Sequence, residues 1–152
     1  MAPSVADAAK TCRRRLEVAP TAVEAAAALI LVRIGLWTMP FAMLSRVVER
    51  ICARRRQGAD GGADRIGRIV VAVSRRLPLR TTCLVEAIAA RAMLRRRGID
   101  STLRFGVRSG TVGGRAIDAH AWLECGGRVV VGEIDDGRGY AALEPTARED
   151  AT

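Results

Sequence analysis

A chain of 152 residues, 49% hydrophobic and 27% charged, has material for one domain with a real core and too little for two ordinary ones. Only 3% of it is aromatic, so Ala, Leu, Ile and Val must fill that core. The net charge of +9 rests on arginine, with Lys10 the only lysine. The runs Arg13–Arg15, Arg54–Arg56 and Arg95–Arg97 lack aromatic neighbours and read as solvated helix faces or helix ends, which argues against nucleic-acid binding.

Residues 1–19 are mixed in character and predict a mobile or partly helical lead-in, without the basic-then-apolar pattern of a signal peptide. Pro20-Thr21 then opens the most apolar segment. Two packed helices are expected there, about 21–37 and 40–56. Val23, Ala27, Ile30, Leu31 and Ile34 form one core stripe, and Phe41, Leu44, Val47, Val48 and Ile51 the other. A membrane span is not expected. Glu24, Arg33 and Pro40 interrupt the segment, and its longest uncharged run, Ile34–Ser45, has 12 residues, against about 17–25 for a spanning helix.

Gln57–Ala63, with Gly58, Gly61 and Gly62, reads as a loop, and Asp64–Arg76 as a short helix with Ile66, Ile69, Val70 and Val73 at helical spacing. The expected organisation is a helical part over 1–62 and a second part over 63–152, together one compact domain.

Pro78 ends the preceding helix, and the next has the sequence marks of both termini. Thr81 or Thr82 can cap it, Glu86 sits in its first turn where an acid is favoured, and Gly98 suits its C-terminal end. Cys83 then falls at the first or second helical position, among N–H groups that have no intrahelical partner. Such a position favours an anionic sulfur and supplies donors for an oxyanion. Cys83, Ala87, Ala90 and Leu94 share one face, whose small residues allow close packing on a sheet.

Ser101–Arg108 alternates as a strand, and Ser109–Arg115 is a glycine-rich loop of the kind that borders a cleft. Ala116–Glu133 reads as a β-hairpin about Gly126-Gly127. A two-residue loop opposes Cys125 to Arg128, Trp122 to Val131 and His120 to Glu133, which sets a carboxylate beside the only histidine. Cys125, an odd number of residues from His120, points to the opposite face of the strand. Asp135-Asp136-Gly137 turns the chain, and Tyr140–Leu143 is a last strand. The four cysteines (Cys12, Cys52, Cys83 and Cys125) form no CxxC pair, so free thiols in a reducing cytoplasm are expected, without structural zinc and with no cofactor.

The helix opened by Cys83-Leu84, the strand Leu103–Arg108, the run Ala119-His-Ala-Trp-Leu-Glu124 and Val131-Gly-Glu133 resemble the transglutaminase-like cysteine leader peptidases of lasso-peptide biosynthesis. The resemblance is firm over about 77–133 and looser before. It implies an α+β fold of the papain/transglutaminase kind, with a helical N-terminal half packed on a small antiparallel sheet. It further implies Cys83 as nucleophile, His120 as base and an acid near Glu133. Many members carry that acid twelve residues after the histidine, where this chain has Gly132, so Asp135 and Asp118 stand as alternatives to Glu133. The implied activity is removal of the leader from a ribosomally made lasso precursor peptide. The implied partners are that precursor, a separate leader-recognition protein and a macrolactam cyclase. Acyl transfer of the transglutaminase or amidase type, and an inactive scaffold of the maturation complex, are the other classes the residues allow.

Overall fold

The computed structural model describes residues 5–52, 62–109, 117–132 and 141–143. Four helices precede most of the sheet: α1 (Val5–Thr38), α2 (Phe41–Cys52), α3 (Ala63–Ser74) and α4 (Cys83–Arg96). Four strands follow: β1 (Thr102–Ser109), β2 (Ile117–Cys125), β3 (Arg128–Val131) and β4 (Ala141–Leu143). They form one antiparallel sheet in the order β3-β2-β1-β4. The architecture is α+β, as the sequence predicts.

Helix α4 is the centre. Val85, Ala87, Ile88, Ala89, Ala90, Met93 and Leu94 are all buried, so the helix is enclosed on nearly every side rather than amphipathic. Neighbours on that surface include α1, α2, α3 and the sheet. Both ends follow their local chemistry. Thr82 is the N-cap, and its hydroxyl accepts from the Val85 N–H. At the other end Gly98 adopts φ 73° and the Ile99 N–H reaches back to the Leu94 carbonyl at 3.0 Å. That 6→1 bond defines a Schellman stop, with Ile99 tucked into the core beside Leu94.

Helix α1 departs from expectation twice. It begins at Val5 and runs unbroken through Pro20. Proline removes one backbone donor, and the helix formers on either side outweigh that loss. The second departure is rotational. The residues that meet the core are Ala25, Leu29 and Val32, whereas Val23 is 70% exposed, Leu31 67% and Ile34 52%, with Ala27 and Ile30 also outside. A helix apolar at almost every position offers no period to choose a face by. Tertiary contacts choose it. Glu24 receives two hydrogen bonds from Arg97 at the end of α4, at 3.1 and 2.5 Å, and pairs with Arg96 at 3.1 Å, which pins the rotation. Gly35 completes the seam, since a Cβ there would stand 2.8 Å from the Leu44 side chain of α2. The stripe of α2 is close to the predicted one: Leu44 and Val48 are buried, Phe41 lies at the margin against Phe105, and the Ile51 side chain falls outside the described residues.

By length and composition one stretch of α1, Ala19–Thr38, could cross a membrane, with mean hydropathy 1.6. That stretch includes Glu24 and Arg33, the two charges at which the sequence reading divides it. Its Ala25, Leu29 and Val32 belong to the core shared with α4, and the rest of the stretch is largely exposed.

Helix α3 buries Ile66, Ile69 and Val70 as expected. It lies so close to β3 that a Cβ on Gly67 would collide with the Val130 carbonyl oxygen. The hairpin turn is also as expected, with Gly126 at φ 56° and Gly127 at φ 76°. Its register is not. Cys125 pairs with Arg128 and Glu124 with Val129, but Leu123, not Trp122, pairs with Val131. Val130 is an extra residue on β3, a bulge at the point where α3 presses on the strand. Residues 57–61, 110–115 and 135–137, where the sequence predicts loops and a turn, and Tyr140 lie outside the described residues.

Candidate active site

Cys83 is the first residue of α4, at the mouth of the helix, and is half-buried. The Thr82 cap takes the Val85 N–H at 3.5 Å, while the first N–H groups of the helix have no intrahelical acceptor. The anchoring of that mouth was not legible beforehand. Ser74, the buried polar side chain at the end of α3, donates its hydroxyl to Glu86 Oε1 at 2.6 Å and so ties α3 to the first turn of α4. An acid in the first helical turn was the available signal, but its partner lies on another element.

Beneath α4 runs β2, which carries His120. The strand alternates regularly against β1. Leu123 and Cys125 turn into the core with α4, and Cys125 is thus a buried thiol, on the face opposite to His120 as predicted. His120, Trp122 and Glu124 share the other face. The imidazole stacks on the Trp122 ring at 6.3 Å with an interplanar angle of 18°. The Trp122 indole N–H donates to Glu124 Oε1 at 2.8 Å, and Arg104 Nε–H donates to Glu124 Oε2 at 3.4 Å. Glu124 therefore locks the indole, and the indole backs the imidazole. Sequence reasoning missed both roles, although the spacing His-x-Trp-x-Glu places the three on one strand face.

His120 Nε2 lies 3.4 Å from the Gly132 carbonyl oxygen. A carbonyl only accepts, so this contact is a hydrogen bond when Nε2 carries the proton. Gly132 itself has φ 80°, and a Cβ on it would stand 2.7 Å from the Ala121 oxygen and 2.9 Å from Trp122 Cα. The position twelve residues after the histidine thus has no room for an acid. Glu133 and Asp135 lie outside the described residues, and Asp118 is placed only as backbone on β2. The hairpin register that opposed Glu133 to His120 does not run past Glu124.

Cys83 opens the helix that packs on the Leu123 and Cys125 face of β2, and His120 stands on the opposite face of that strand, within an α+β fold compatible with cysteine peptidase or acyl-transfer chemistry. The sequence profile of the transglutaminase-like superfamily matches residues 26–144, and the chain belongs to that superfamily. The match takes in the last part of α1, from residue 26, and every later element, so α2, α3 and α4 are part of the family domain. No curated protein and no solved structure matches the chain.

Proposed function

We propose that this chain is a cysteine peptidase that cuts the leader from a ribosomally made lasso precursor peptide. The observation that carries the reading is the pairing of elements: Cys83 opens α4, and α4 packs on β2, the strand that carries His120 on the face opposite to Leu123 and Cys125, with Nε2 near the Gly132 carbonyl. In this mechanism His120 takes the thiol proton and the Cys83 sulfur attacks the scissile carbonyl. Backbone N–H groups at the start of α4 hold the resulting oxyanion. The imidazolium protonates the leaving amine, which gives a thioester, and a water molecule activated by His120 then hydrolyses it. Glu133 is the acid assigned to the imidazole.

The precursor is a flexible peptide, and ordering it costs binding energy. A separate leader-recognition protein would raise the local concentration of the scissile bond, to about the mM range for a short tether. A macrolactam cyclase would take the released core. The exposed apolar residues of the helical half, Val23, Leu31, Ile34 and above all Trp37 at 89% exposure, offer the recognition protein a face. The test is mass spectrometry of precursor incubated with enzyme and partner. Cys83→Ala is expected to abolish cleavage with folding retained, and Cys125→Ala to leave substantial activity. Near wild-type cleavage by Cys83→Ala would refute the mechanism, and a product carrying an added amine in place of water would make the enzyme an acyl transferase.

A further inference from the structure

Four side chains form one connected row on the sheet face that carries His120. On β2, His120, Trp122 and Glu124 share that face by alternation, and β1 sets Arg104 opposite Trp122 and Gly106 opposite His120. Arg104 Nε–H donates to Glu124 Oε2 at 3.4 Å, and Glu124 Oε1 accepts the Trp122 indole N–H at 2.8 Å. The indole plane lies 18° from the imidazole plane, with the ring centroids 6.3 Å apart. That is the offset-stacked geometry of a ring pair in contact.

The indole is the fixed member of the row. Trp122 is 4% exposed, and the backbone at Gly132 stands so close that a Cβ there would meet Trp122 Cα and Cβ at 2.9 Å. A buried indole needs an acceptor for its N–H, and Glu124 supplies a charged one, the stronger kind. The Gly132 carbonyl, at 3.4 Å from Nε2, lies beyond the usual length of an N–H···O bond and constrains the imidazole weakly. Gly106 offers no side chain from β1. The flat face of Trp122 adds what a single long hydrogen bond lacks, since it fixes the plane of the imidazole.

We infer that Trp122 and Glu124 are positioning residues for His120: the carboxylate fixes the indole, and the indole fixes the imidazole in the orientation a base needs. The inference rests on the peptidase reading for the task of His120. It deepens that reading by giving the base a support within its own strand, apart from the acid assigned at Glu133. Four residues of strand, about 13 Å of backbone, separate Glu124 from His120, so the carboxylate acts through the ring that stands between them. Arg104 engages the second oxygen of Glu124 and extends the support to β1.

The test reads the ring contact by fluorescence and the base by thiol reactivity. In full-length protein carrying Trp37→Phe and Cys83→Ala, Trp122 is the only tryptophan and His120 the only histidine. An imidazolium quenches an indole it touches more than a neutral imidazole does. Emission is therefore expected to rise as His120 loses its proton in a titration from about pH 5 to 8, the range in which histidine titrates. Adding Glu124→Leu should shrink that rise severalfold, and His120→Gln should abolish it. Glu124→Gln, which keeps an acceptor for the indole N–H, should retain most of it. In protein that retains Cys83, alkylation of that thiol by iodoacetamide at neutral pH, followed by peptide mass spectrometry, should slow about tenfold in Glu124→Leu and little in Glu124→Gln. Once Trp122→Leu has removed the indole, Glu124→Leu should cost nothing further. That double variant strands no indole N–H, so it carries the alkylation test if Glu124→Leu alone does not fold, and a full rate in it would overturn the inference. No rise with pH, a rise untouched by Glu124→Leu, or equal losses in Glu124→Leu and Glu124→Gln would overturn it as well. A rise that depends on Glu124, with alkylation indifferent to His120→Gln, would sink the peptidase reading and leave the support of the ring standing. Alkylation that slows in His120→Gln but not in Glu124→Leu would do the reverse.

Discussion

Replacing Gly132 by alanine tests the backbone beside His120. Gly132 stands at φ 80°, and the left-handed conformation costs a residue with a Cβ about 1–2 kcal/mol. The new methyl also meets fixed atoms: it would lie 2.7 Å from the Ala121 oxygen and 2.9 Å from Trp122 Cα and Cβ. None of these is the free end of a flexible side chain, so β2 and the end of β3 must separate, an overpacking that costs about 1–3 kcal/mol more. The expected loss is therefore about 2–5 kcal/mol, which for a chain of this size lowers Tm by about 5–15 °C. Gly127→Ala isolates the first contribution, because Gly127 has φ 76° with nothing within 4 Å of a Cβ. It should lose only the conformational part, about 1–2 kcal/mol. The assay is urea and thermal unfolding followed by circular dichroism, with precursor cleavage measured on whatever remains folded. Equal losses for Gly132→Ala and Gly127→Ala would show that the close approach of Gly132 to β2, and with it the placing of its carbonyl beside His120, is wrong.

Three other perturbations address different parts of the molecule. The Arg97 hydrogen bonds hold the Glu24 carboxyl below its ordinary range, against a smaller opposing effect of burial. A depressed carboxylate stabilises the fold above its unfolded pKa of about 4.3, and that stability is lost as pH falls through the folded value. Glu24→Gln should therefore cost about 1–2 kcal/mol at pH 7, a gap that narrows as wild type and variant are compared by urea unfolding toward pH 4 and below; a gap constant with pH would contradict the ion pair. Leu31→Gln with Trp37→Gln should change stability by less than about 0.5 kcal/mol, since both side chains are largely exposed. Stimulation of cleavage by the leader-recognition protein should fall severalfold, and undiminished stimulation would place that partner elsewhere. Among the candidate acids, Glu133→Gln should slow cleavage more than Asp135→Asn or Asp118→Asn in a precursor time course, because Glu133 directly follows the glycine whose carbonyl meets the imidazole; the reverse ranking would reassign the third residue.

What was legible in the sequence is what local chemistry decides. The cap at Thr82, the acid at Glu86 and the glycine stop at Gly98 fix α4, and with it the place of Cys83 at a helix mouth. Gly126-Gly127 fixes a hairpin, and strand alternation separates Cys125 from His120. The rotation of α1 was not legible. In Val23–Trp37 nearly every position is apolar, so hydrophobic spacing fits several faces equally well and the true one is set by Glu24 reaching Arg97, 73 residues away. The outcome reverses the meaning of the segment. The stripe read as core is an exposed apolar face, and Ala25, Leu29 and Val32 carry the packing.

The residue proposed as the third member of the site shows the same limit at finer scale. A hairpin register read from the turn assumes that every residue of both strands pairs, and one extra residue turns each later side chain to the other face. Val130 is that residue, and it is extra because Gly67 lets the α3 backbone come down on its carbonyl, a contact invisible from either strand. The bulge then delivers Gly132 at a positive φ, against β2, with its carbonyl toward His120 Nε2. A side chain at 132 would have to occupy the space that Ala121 and Trp122 already fill, so an acid at that position and this backbone exclude one another. Glycine at 132 and this backbone are therefore coupled: the space a side chain would need is taken, and the backbone carbonyl lies beside the imidazole. Any carboxylate that joins it must come from a neighbouring position rather than from 132.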